Sequence, residues 1–513
     1  MDHLVNHLVI APLLLPLLAG IALLLLRGSA TPMRQTVSLL ATFALVVIAF
    51  QLLLQVADGS VLVYRLGDWP APFGIVLVAD RLSAMMVLLT AVLSASVILY
   101  ALRGADHDAR FFHVLFQMQL FGINGAFLTG DLFNLFVFFE VLLIASYGLL
   151  LYGGGADRTR AGLHYVVLNL VGSTLFLFAV GTLYGVLGTL NMADITQRLA
   201  NISEEDLGVV RAAGLLLFAV FALKGALAPL HLWLPGAYGH TSAPVAAMFA
   251  IMTKVGAYAI LRAHSLMFGP ESGPVAGLLD PWLLPLALIT VVAGTIGLMA
   301  SKRLSQQAAY LVVVSAGTLL AAFGIGGAEA FAAGLYYLLH STLAAAAVFL
   351  LADVISKARG NALDRLIPGP ELARGQLLAG VFLVIALAIS GMPPLSGFVG
   401  KWLILQASIG EPGMPWVFAV LLVTSLLGIM TLARSGTMLF FRIDESPTAG
   451  SQAGKPVTVI DLGSPLALAL MGIGLVVYAG PVYEFSQAAA EQLLQSEAYI
   501  SAVLQAATGG PQP

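Results

Sequence analysis

The sequence predicts an all-α polytopic membrane protein with about fourteen transmembrane helices, and three observations support this fold class. Apolar residues make up 59% of the 513 residues, charged residues only 10%, and the mean hydropathy is +0.96. Soluble globular domains do not have such a composition. The apolar stretches recur from end to end without a Pro/Ser-rich linker. Most of them have the length of about 20 residues that a membrane helix needs, which does not fit the alternating strands of a barrel.

The predicted spans cover most of the chain. The first, Leu8 to Leu26, is interpreted as a membrane helix rather than a cleaved signal, because no lysine or arginine precedes it and Arg27 and Arg34 follow it. The other thirteen apolar segments lie near residues 35–56, 82–102, 111–129, 132–152, 163–187, 209–235, 244–264, 281–300, 305–324, 330–352, 376–409, 415–441 and 463–482.

Prolines interrupt the seventh and twelfth predicted spans. Pro229 follows Lys224 in LKGALAPLHLWLP, and the pair Pro393 and Pro394 precedes Lys401 in SGMPPLSGFVGKW. Proline removes a backbone donor and breaks the helical hydrogen-bond ladder. Because non-helical backbone at membrane depth survives only beside protein or water, each broken span is predicted to adjoin a hydrated site.

The two broken spans lie five helices apart, which predicts an internal repeat. An odd number of helices inverts the second repeat relative to the first, as in many transporters. Four regions are therefore predicted. They are helices 1–3 in residues 1–109, a first repeat in 110–264, a second, inverted repeat in 281–441, and helix 14 with a C-terminal tail in 442–513.

Basic residues predict the orientation of the chain. They crowd into alternate connections, which should therefore be cytoplasmic, with both termini outside. The tail after residue 483 carries an apolar stripe that includes Leu493 and Ile500, and it is predicted to lie along the outer membrane surface. The basic residues of the predicted cytoplasmic connections are Arg27, Arg34, Arg103, Arg110, Arg158, Arg160, Lys302, Arg303, Lys357, Arg359, Arg365, Arg374, Arg442 and Lys455. The opposite connections hold Arg65, Arg81, Arg198, Arg211 and Arg262.

Ionisable side chains inside the apolar spans are the candidate functional residues. They are Glu140, Lys224, Lys254, His340 and Lys401. A buried charge costs several kcal/mol unless it is paired or hydrated, so intramembrane ionisable groups usually mark ion or proton pathways. Glu140 is the predicted countercharge of the buried lysines, and a histidine can hold or pass a proton near neutral pH.

Each candidate also has a structural interpretation. Glu140 and Lys224 could form a static ion pair that fixes two helices, and Lys254 could likewise serve packing. His340 could be an ordinary hydrogen-bonded residue, and Lys401 could extend its ammonium to the membrane surface. Arg434 is interpreted as an anchor at the inner side of the membrane, and His231 and His240 are interpreted either as interfacial loop residues or as members of a proton relay.

Several other functional classes are excluded by the sequence. The chain has no cysteine, so it can hold neither a disulfide nor a thiolate-bound metal or iron–sulfur cluster. Gly400 and Lys401 do not end a phosphate-binding loop, because Leu395 stands where glycine is required and Trp402 where Ser or Thr is required. No basic face with interleaved aromatics suggests nucleic acid. We therefore expect no bound cofactor or metal.

Four stretches resemble one known family. They are DLFNLFVFFEVLLIASYGLL, ALKGALAPLHLWLPGAYGHTSAPVAA, FAIMTKVGAYAILR and SGMPPLSGFVGKW. They resemble the antiporter-like membrane subunits shared by Mrp-type multisubunit Na+/H+ antiporters, respiratory complex I and membrane-bound hydrogenases, and they are most similar to the D-type Mrp subunits. The resemblance covers nearly the whole chain. One small departure is TSAP, where the family more often has an alanine-rich APAP-like stretch.

The resemblance implies two inverted five-helix repeats and a chain of protonatable residues across the membrane midplane. By that pattern Glu140 and Lys224 form the pair of the first repeat, Lys254 connects the repeats, His340 continues the chain and Lys401 ends it. It also implies partner subunits, protons and a monovalent cation, Na+ before K+ or Li+, as transported ions, and a bacterial inner membrane.

The predicted function is therefore that of a proton-translocating subunit of a Na+/proton antiporter, a secondary transporter rather than an enzyme. An alternative is a proton-pumping membrane subunit of a complex I-like NADH:quinone oxidoreductase or a hydrogenase. A third hypothesis is a purely structural membrane scaffold.

Overall fold

The computed structural model describes residues 7–28, 30–69, 73–104, 111–443 and 456–505, and helices dominate these ranges. Most of the predicted loop 103–110, including Arg110, lies outside the described residues, as do Lys455 and both chain ends.

The first part of the chain contains three long helices and one small hairpin. Helix α1 (Ala11–Leu25) and helix α2 (Thr31–Val56) precede two short strands, β1 (Leu62–Arg65) and β2 (Val76–Ala79), and helix α3 (Arg81–Ala101) follows them. The strands pair antiparallel, with Leu62 opposite Ala79. This hairpin, within a connection between predicted spans, is the one sheet in the described part of an otherwise all-α protein.

The next helices hold the first group of candidate residues. They are α4 (Phe112–Leu128), α5 (Leu132–Leu151), α6 (Ala156–Leu187), α7 (Met192–Ala200), α8 (Glu204–Lys224), α9 (Trp233–His240), α10 (Ala243–Phe249) and α11 (Met252–Arg262). The remaining helices are α12 (Asp280–Ala300), α13 (Leu304–Ile325), α14 (Gly327–Ala358), α15 (Gly375–Ser390), α16 (Ser396–Ala407), α17 (Met414–Gly436), α18 (Gly463–Val477), α19 (Ala479–Leu494) and α20 (Glu497–Gln505).

Side-chain caps explain where several helices begin. The side chains of Asp80, Asp131, Asn191 and Ser203 each accept a hydrogen bond from a backbone N–H in the first turn of α3, α5, α7 and α8, respectively. Such caps satisfy donors that have no partner inside the helix.

The all-α polytopic membrane class is confirmed. Among the described residues, twelve helical segments are long and apolar enough to cross a membrane, and two shorter apolar helices, α4 and α15, accompany them. The total of fourteen spans and the two inverted repeats stay predictions. The segment Ala243–Met267, which contains α10 and α11, is surrounded by other helices and buried over its apolar length.

The connections between helices gather at two ends of the bundle. Short bridges pair residue 303 with 365 and 369 with 443 at one end, and 77 with 129 and 131 with 191 at the other. We name the first the basic end, because it contains the connections rich in arginine and lysine, and the second the tail end, because α20 packs there against α7 and β1.

The predicted position of the tail is wrong in one respect. The apolar stripe with Leu493 and Ile500 is predicted to face the membrane surface, but both residues are buried against the protein, together with Val503. The stripe therefore covers protein surface, because α19 packs along α14 and α20 closes over the hairpin and α7.

Candidate functional site

The helices that carry the five candidate residues form a continuous packed series together with α6 and α13. Neighbouring contacts run from α5 to α6, α8, α11, α13, α14 and α16. The five side chains come from five different helices of this series. Tertiary packing therefore places these groups on successive helices. We refer to them together as the row, which consists of Glu140, Lys224, Lys254, His340 and Lys401.

Glu140 and Lys224 are joined through Ser173 rather than by a direct ion pair. Ser173 Oγ on α6 donates a hydrogen bond to Glu140 Oε1 on α5. The ammonium of Lys224 on α8 donates to Asn169 Oδ1 at 3.2 Å and to Ser173 Oγ at 3.5 Å. Lys224 is buried and Glu140 half-buried. The predicted countercharge is thus close to this lysine, with one hydroxyl between them.

The close packing around Lys224 depends on small residues. A methyl group added to Gly172 on α6 would lie 2.5 Å from the side chain of Leu223. One added to Gly256 on α11 would lie 2.6 Å from the backbone carbonyl carbon of Lys224. Glycine at these two positions lets α6 and α11 approach the end of α8.

The backbone break after Lys224 has its polar groups satisfied. Helix α8 ends at Lys224, and the chain continues through a non-helical turn before α9. Trp233 Nε1 donates to the carbonyl oxygen of Leu223 at 3.1 Å, and the Ala228 N–H donates to Thr290 Oγ1 at 2.8 Å. Side chains from the protein interior therefore replace the lost helical hydrogen bonds, as burial at membrane depth requires.

Lys254 lies on α11 and is 1% exposed. Its ammonium donates a hydrogen bond to Ser315 Oγ on α13 at 2.7 Å. Ser315 Oγ in turn donates to the carbonyl oxygen of Val312 at 2.8 Å. No carboxylate within the described residues forms an ion pair with Lys254. The Ser315 hydroxyl is thus the hydrogen-bond partner of the Lys254 ammonium among the described residues.

His340 on α14 is buried and contacts the start of α16. Its Nδ1 lies 2.8 Å from Ser396 Oγ, while its Nε2 has no hydrogen-bond partner among the described residues. A methyl group on Gly397 would lie 2.8 Å from that Nε2 atom. Helix α14 packs against α13, which holds the hydroxyl partner of Lys254, and against α16, which carries Lys401. The imidazole is therefore on the helix between these two, and one of its ring nitrogens has no partner among the described residues.

Lys401 on α16 contacts the end of the helix that precedes the second backbone break. Helix α15 ends at Ser390, and the Lys401 ammonium donates to the Ser390 carbonyl oxygen at 2.9 Å and to Ser425 Oγ on α17 at 2.8 Å. The side chain is half-buried. The ammonium thus satisfies a helix C-terminus, where a positive charge is favourable, and it does not extend freely to solvent.

A family comparison decides the membership of the chain. The family model described as NADH:quinone oxidoreductase/Mrp antiporter, TM, matches residues 129–428. The chain belongs to this family. All five candidate residues fall within the matched range. The hairpin and α20 lie outside it.

Similar members of the antiporter family extend over nearly the whole chain. A Rhizobium meliloti protein, named as the D subunit of a probable K(+)/H(+) antiporter, is 37% identical and covers 99% of each chain. The D subunit of a Na(+)/H(+) antiporter from Bacillus subtilis is 36% identical, covering 97% of this chain and 99% of that one. A chain in the structure of the Mrp complex from Dietzia sp. is 27% identical, with a TM-score of 0.87 and coverage of 98% and 99%.

Sequence reasoning identified the charged members of the row but missed their hydroxyl partners. Ser173 contacts both Glu140 and Lys224, and Ser315, Ser396 and Ser425 each contact one further ionisable group. Serine also occurs at many other positions of the sequence, so its presence carries little signal alone. The polar spacing of Asn169 and Ser173 in α6, four residues apart and on one helix face, was the available clue.

The prediction that Arg262 lies in an external connection is wrong. Arg262 is the last residue of α11, is buried, and pairs with Asp80. Among the described residues, no group of three or more His, Asp or Glu side chains is arranged to hold a metal ion.

Proposed function

We propose that the chain is the D-type subunit of a multisubunit monovalent-cation/proton antiporter and that Glu140, Lys224, Lys254, His340 and Lys401 carry protons near the membrane midplane. One observation supports this role above the others. Each of these five ionisable side chains contacts a serine hydroxyl that comes from a different helix.

A serine hydroxyl suits this role because it both donates and accepts hydrogen bonds and can rotate between partners. Ser173 contacts Glu140 and Lys224 at the same time. In that arrangement the hydroxyl can pass a proton between carboxylate and amine. A static clamp would instead bring the two charges into direct contact.

A change in the charge pairing of Lys224 would drive the release of its proton. A buried ammonium is costly without a partner charge. Movement of the Glu140 carboxylate away from Ser173 leaves the Lys224 ammonium uncompensated and favours release of its proton. Lys254, His340 and Lys401 then offer further acceptors on successive helices of the packed series.

The arrangement of the broken helices supports two inverted repeats. Helix α8 ends at Lys224 and is followed by α9, and α15 ends at Ser390 and is followed by α16. In both places a lysine lies at or contacts the C-terminal end of the first helix segment. We propose residues 110–264 and 281–441 as these repeats, flanked by helices 1–3 and by helix 14 with the tail.

The names of the relatives indicate a monovalent cation but differ on which one. The Bacillus subtilis protein is named for Na+ and the Rhizobium meliloti protein for K+. We propose Na+ as the cation and K+ as the alternative, with the remaining antiporter subunits as partners. The proposed location is the bacterial cytoplasmic membrane, with the basic end inside and both termini outside.

A reconstitution experiment tests the proposed role of the row. The complete complex carrying Lys254→Met should assemble but lose sodium-dependent proton exchange in vesicles, because methionine cannot hold a proton. Lys302→Met is the matched control, since Lys302 is exposed at the basic end. Normal exchange by the assembled Lys254→Met complex would refute the role of this lysine.

The family also includes redox-driven complexes, which support the second candidate function. A proton-pumping membrane subunit would use the same row of residues. The composition of the purified complex separates the two. Hydrophilic subunits with flavin or iron–sulfur clusters would favour the redox pump, whereas small membrane subunits without them favour the antiporter.

A further inference from the structure

The ion pair between Asp80 and Arg262 is the most deeply buried one among the described residues. Arg262 Nη1 lies 2.6 Å from Asp80 Oδ2, and Nη2 lies 2.9 Å from Asp80 Oδ1. The side chains of Arg262 and Asp80 are only 6% and 3% exposed. A bidentate contact of this kind is strong and directional, but burying both charges is costly. Such a pair therefore needs an explanation.

Asp80 is held in place by the start of α3. Its Oδ1 accepts a hydrogen bond from the Ser83 N–H at 2.8 Å, and its own N–H donates to Ser83 Oγ at 2.8 Å. Burial alone would raise the pKa of Asp80, but the charge and hydrogen bonds of Arg262 and the Ser83 contacts hold it below its usual value. Asp80 is thus a fixed negative charge at the tail end.

Arg262 is the outermost of three polar residues on one face of α11. Lys254, Tyr258 and Arg262 follow each other at intervals of four residues, so they lie on the same helix face at steps of about 6 Å. Arg262 Nε and Nη2 donate to the Tyr258 hydroxyl at 3.3 and 3.1 Å. That hydroxyl donates to the Phe127 carbonyl oxygen at 2.7 Å. A polar path therefore leads from Lys254 toward the tail end.

The C-terminal helix covers this path. The guanidinium of Arg262 lies 5.2 Å from the ring centroid of Tyr499 on α20 and 5.3 Å from that of Tyr258. Tyr499 is 5% exposed. Gln492 on α19 accepts a hydrogen bond from the Arg81 N–H and donates to the Gly59 carbonyl oxygen. The tail is thus fastened over the ion pair by contacts at both α19 and α20.

We propose that the Asp80–Arg262 pair beneath Tyr499 is a gate that prevents Lys254 from exchanging protons directly with the compartment at the tail end. The proposal rests on the proposed function of Lys254 as a proton carrier.

Two physical effects keep the gate closed. The Tyr258 hydroxyl donates to Phe127 and accepts from Arg262, so it has little capacity left to accept a proton from Lys254. The Arg262 guanidinium, held by Asp80 and covered by Tyr499, also occupies the end of this helix face, where a hydrated proton would have to enter. Both effects require Asp80, because it orients the guanidinium. Arg262 and Asp80 are therefore positioning residues.

A closed gate of this kind has a clear function. A proton carrier at mid-membrane that stayed open to one side would dissipate the proton gradient without moving a cation. The gate confines proton exchange at Lys254 to its neighbours in the row, so proton movement stays coupled to transport.

The test measures passive proton flux. The complete complex is reconstituted in vesicles with choline as the only monovalent salt cation, a pH gradient is imposed, and an enclosed pH dye reports the flux. Asp80→Asn should raise the flux at least about threefold. Asparagine caps a helix as well as aspartate does, so the start of α3 is preserved while the charge pair is lost. An unchanged flux in the assembled variant would overturn the proposal.

The matched control is Asp364→Asn, which breaks the ion pair between Asp364 and Arg303 at the basic end. Asp364 Oδ1 lies 2.9 Å from Arg303 Nη2, and Asp364 is also buried. This variant should keep the flux of the parent complex. An equal rise in both variants would mean that loss of any buried pair causes leakage, which would refute a specific gate.

A double variant identifies the route of the leak. In Asp80→Asn combined with Lys254→Met, the flux should return to the parent level, because the leak passes through Lys254. A leak that persists in the double variant contradicts the gate. Sodium-dependent exchange by Lys254→Met alone tests the proposed carrier role separately. The two proposals can therefore fail independently.

Tyr499 provides a second variant if Asp80→Asn does not assemble. Tyr499→Ala keeps the ion pair but removes its cover, and it should also raise the choline-condition flux. Tyr499→Phe retains the ring over the guanidinium and should not. Equal flux in these two variants and the parent complex would overturn the covering role of the tail and with it the gate.

Discussion

The ammonium of Lys401 donates a hydrogen bond to the carbonyl oxygen of Ser390, the last residue of α15. The positive charge therefore sits where the helix leaves carbonyl groups without intrahelical partners. This contact ties a predicted proton-carrying residue to the backbone break beside it. Protonation of Lys401 and the geometry of the break are consequently coupled.

Replacing Lys401 tests this coupling. Lys401→Met should abolish cation-dependent exchange in the assembled complex and lower stability by about 1 kcal/mol, the usual scale of a cation at a helix C-terminus. Lys401→Arg should restore most of the stability but not the exchange, because arginine stays protonated. Apparent melting temperature and vesicle exchange are measured together. Recovered exchange with arginine would argue against proton transfer at this position.

Glu140 and Lys224 are expected to act as a switching pair rather than a structural clamp. Glu140→Gln, Lys224→Met and the double variant should each assemble yet lose exchange, because neither glutamine nor methionine can load and release a proton and transfer needs both positions. If the pair only holds helices together, the double variant, which has no unpaired buried charge, should regain both assembly and activity. Side-by-side measurement of assembly and exchange separates these outcomes.

Ser173 should matter for transfer more than for assembly. Ser173→Ala removes the hydroxyl that contacts both Glu140 and Lys224, and we expect at least about a tenfold loss of exchange rate. Thr174→Ala is the matched control, since Thr174 Oγ1 donates to the Leu170 carbonyl oxygen of its own helix. Equal rates for the two variants would show that the Ser173 hydroxyl is dispensable.

The orientation can be measured by cysteine labelling, because the chain has no native cysteine. A cysteine at Glu205, exposed at the tail end, should react with an impermeant reagent added outside. A cysteine at Thr159, exposed near the basic end, should be protected until the membrane is permeabilised. The reverse pattern would invert the proposed topology.

Asp131 predicts a specific pH dependence of stability. Burial raises the pKa of this N-cap carboxyl from 3.8 to about 6. Hydrogen bonds from the Asn134 and Phe133 N–H groups lower the pKa, but their effect is smaller than that of burial. The folded state thus binds more protons, so stability falls as pH rises from about 4 to 6. At about 1.4 kcal/mol per pKa unit, the loss above pH 6 is roughly 3 kcal/mol.

Asp131→Asn preserves the cap and removes the charge. Its melting temperature should match that of the parent chain near pH 4 and exceed it increasingly up to pH 7. Asp80→Asn is the comparison with opposite sign, because the pKa of Asp80 is lowered and its charge stabilises the fold at neutral pH. A difference in melting temperature between Asp131→Asn and the parent that stays constant at all pH values would contradict a raised pKa of the buried Asp131 carboxyl.

The fold class and the charged members of the row were predictable from the sequence for one physical reason. The membrane penalises ionised side chains so strongly that Glu140, Lys224, Lys254 and Lys401 stand out against apolar neighbours. Proline at positions 229 and 393–394 likewise signalled where helices could not continue. These signals are local, and they do not depend on which helices touch.

Tertiary structure decided the partners of these residues. Ser173 lies 51 residues from Lys224, Ser315 lies 61 from Lys254, and Asp80 lies 182 from Arg262. Membrane helices are apolar around most of their surface, so the sequence contains little periodic information about which face meets which neighbour. Packing of the helices, through small residues such as Gly172 and Gly256, selects the hydroxyl that each charge contacts and places α20 over the buried ion pair.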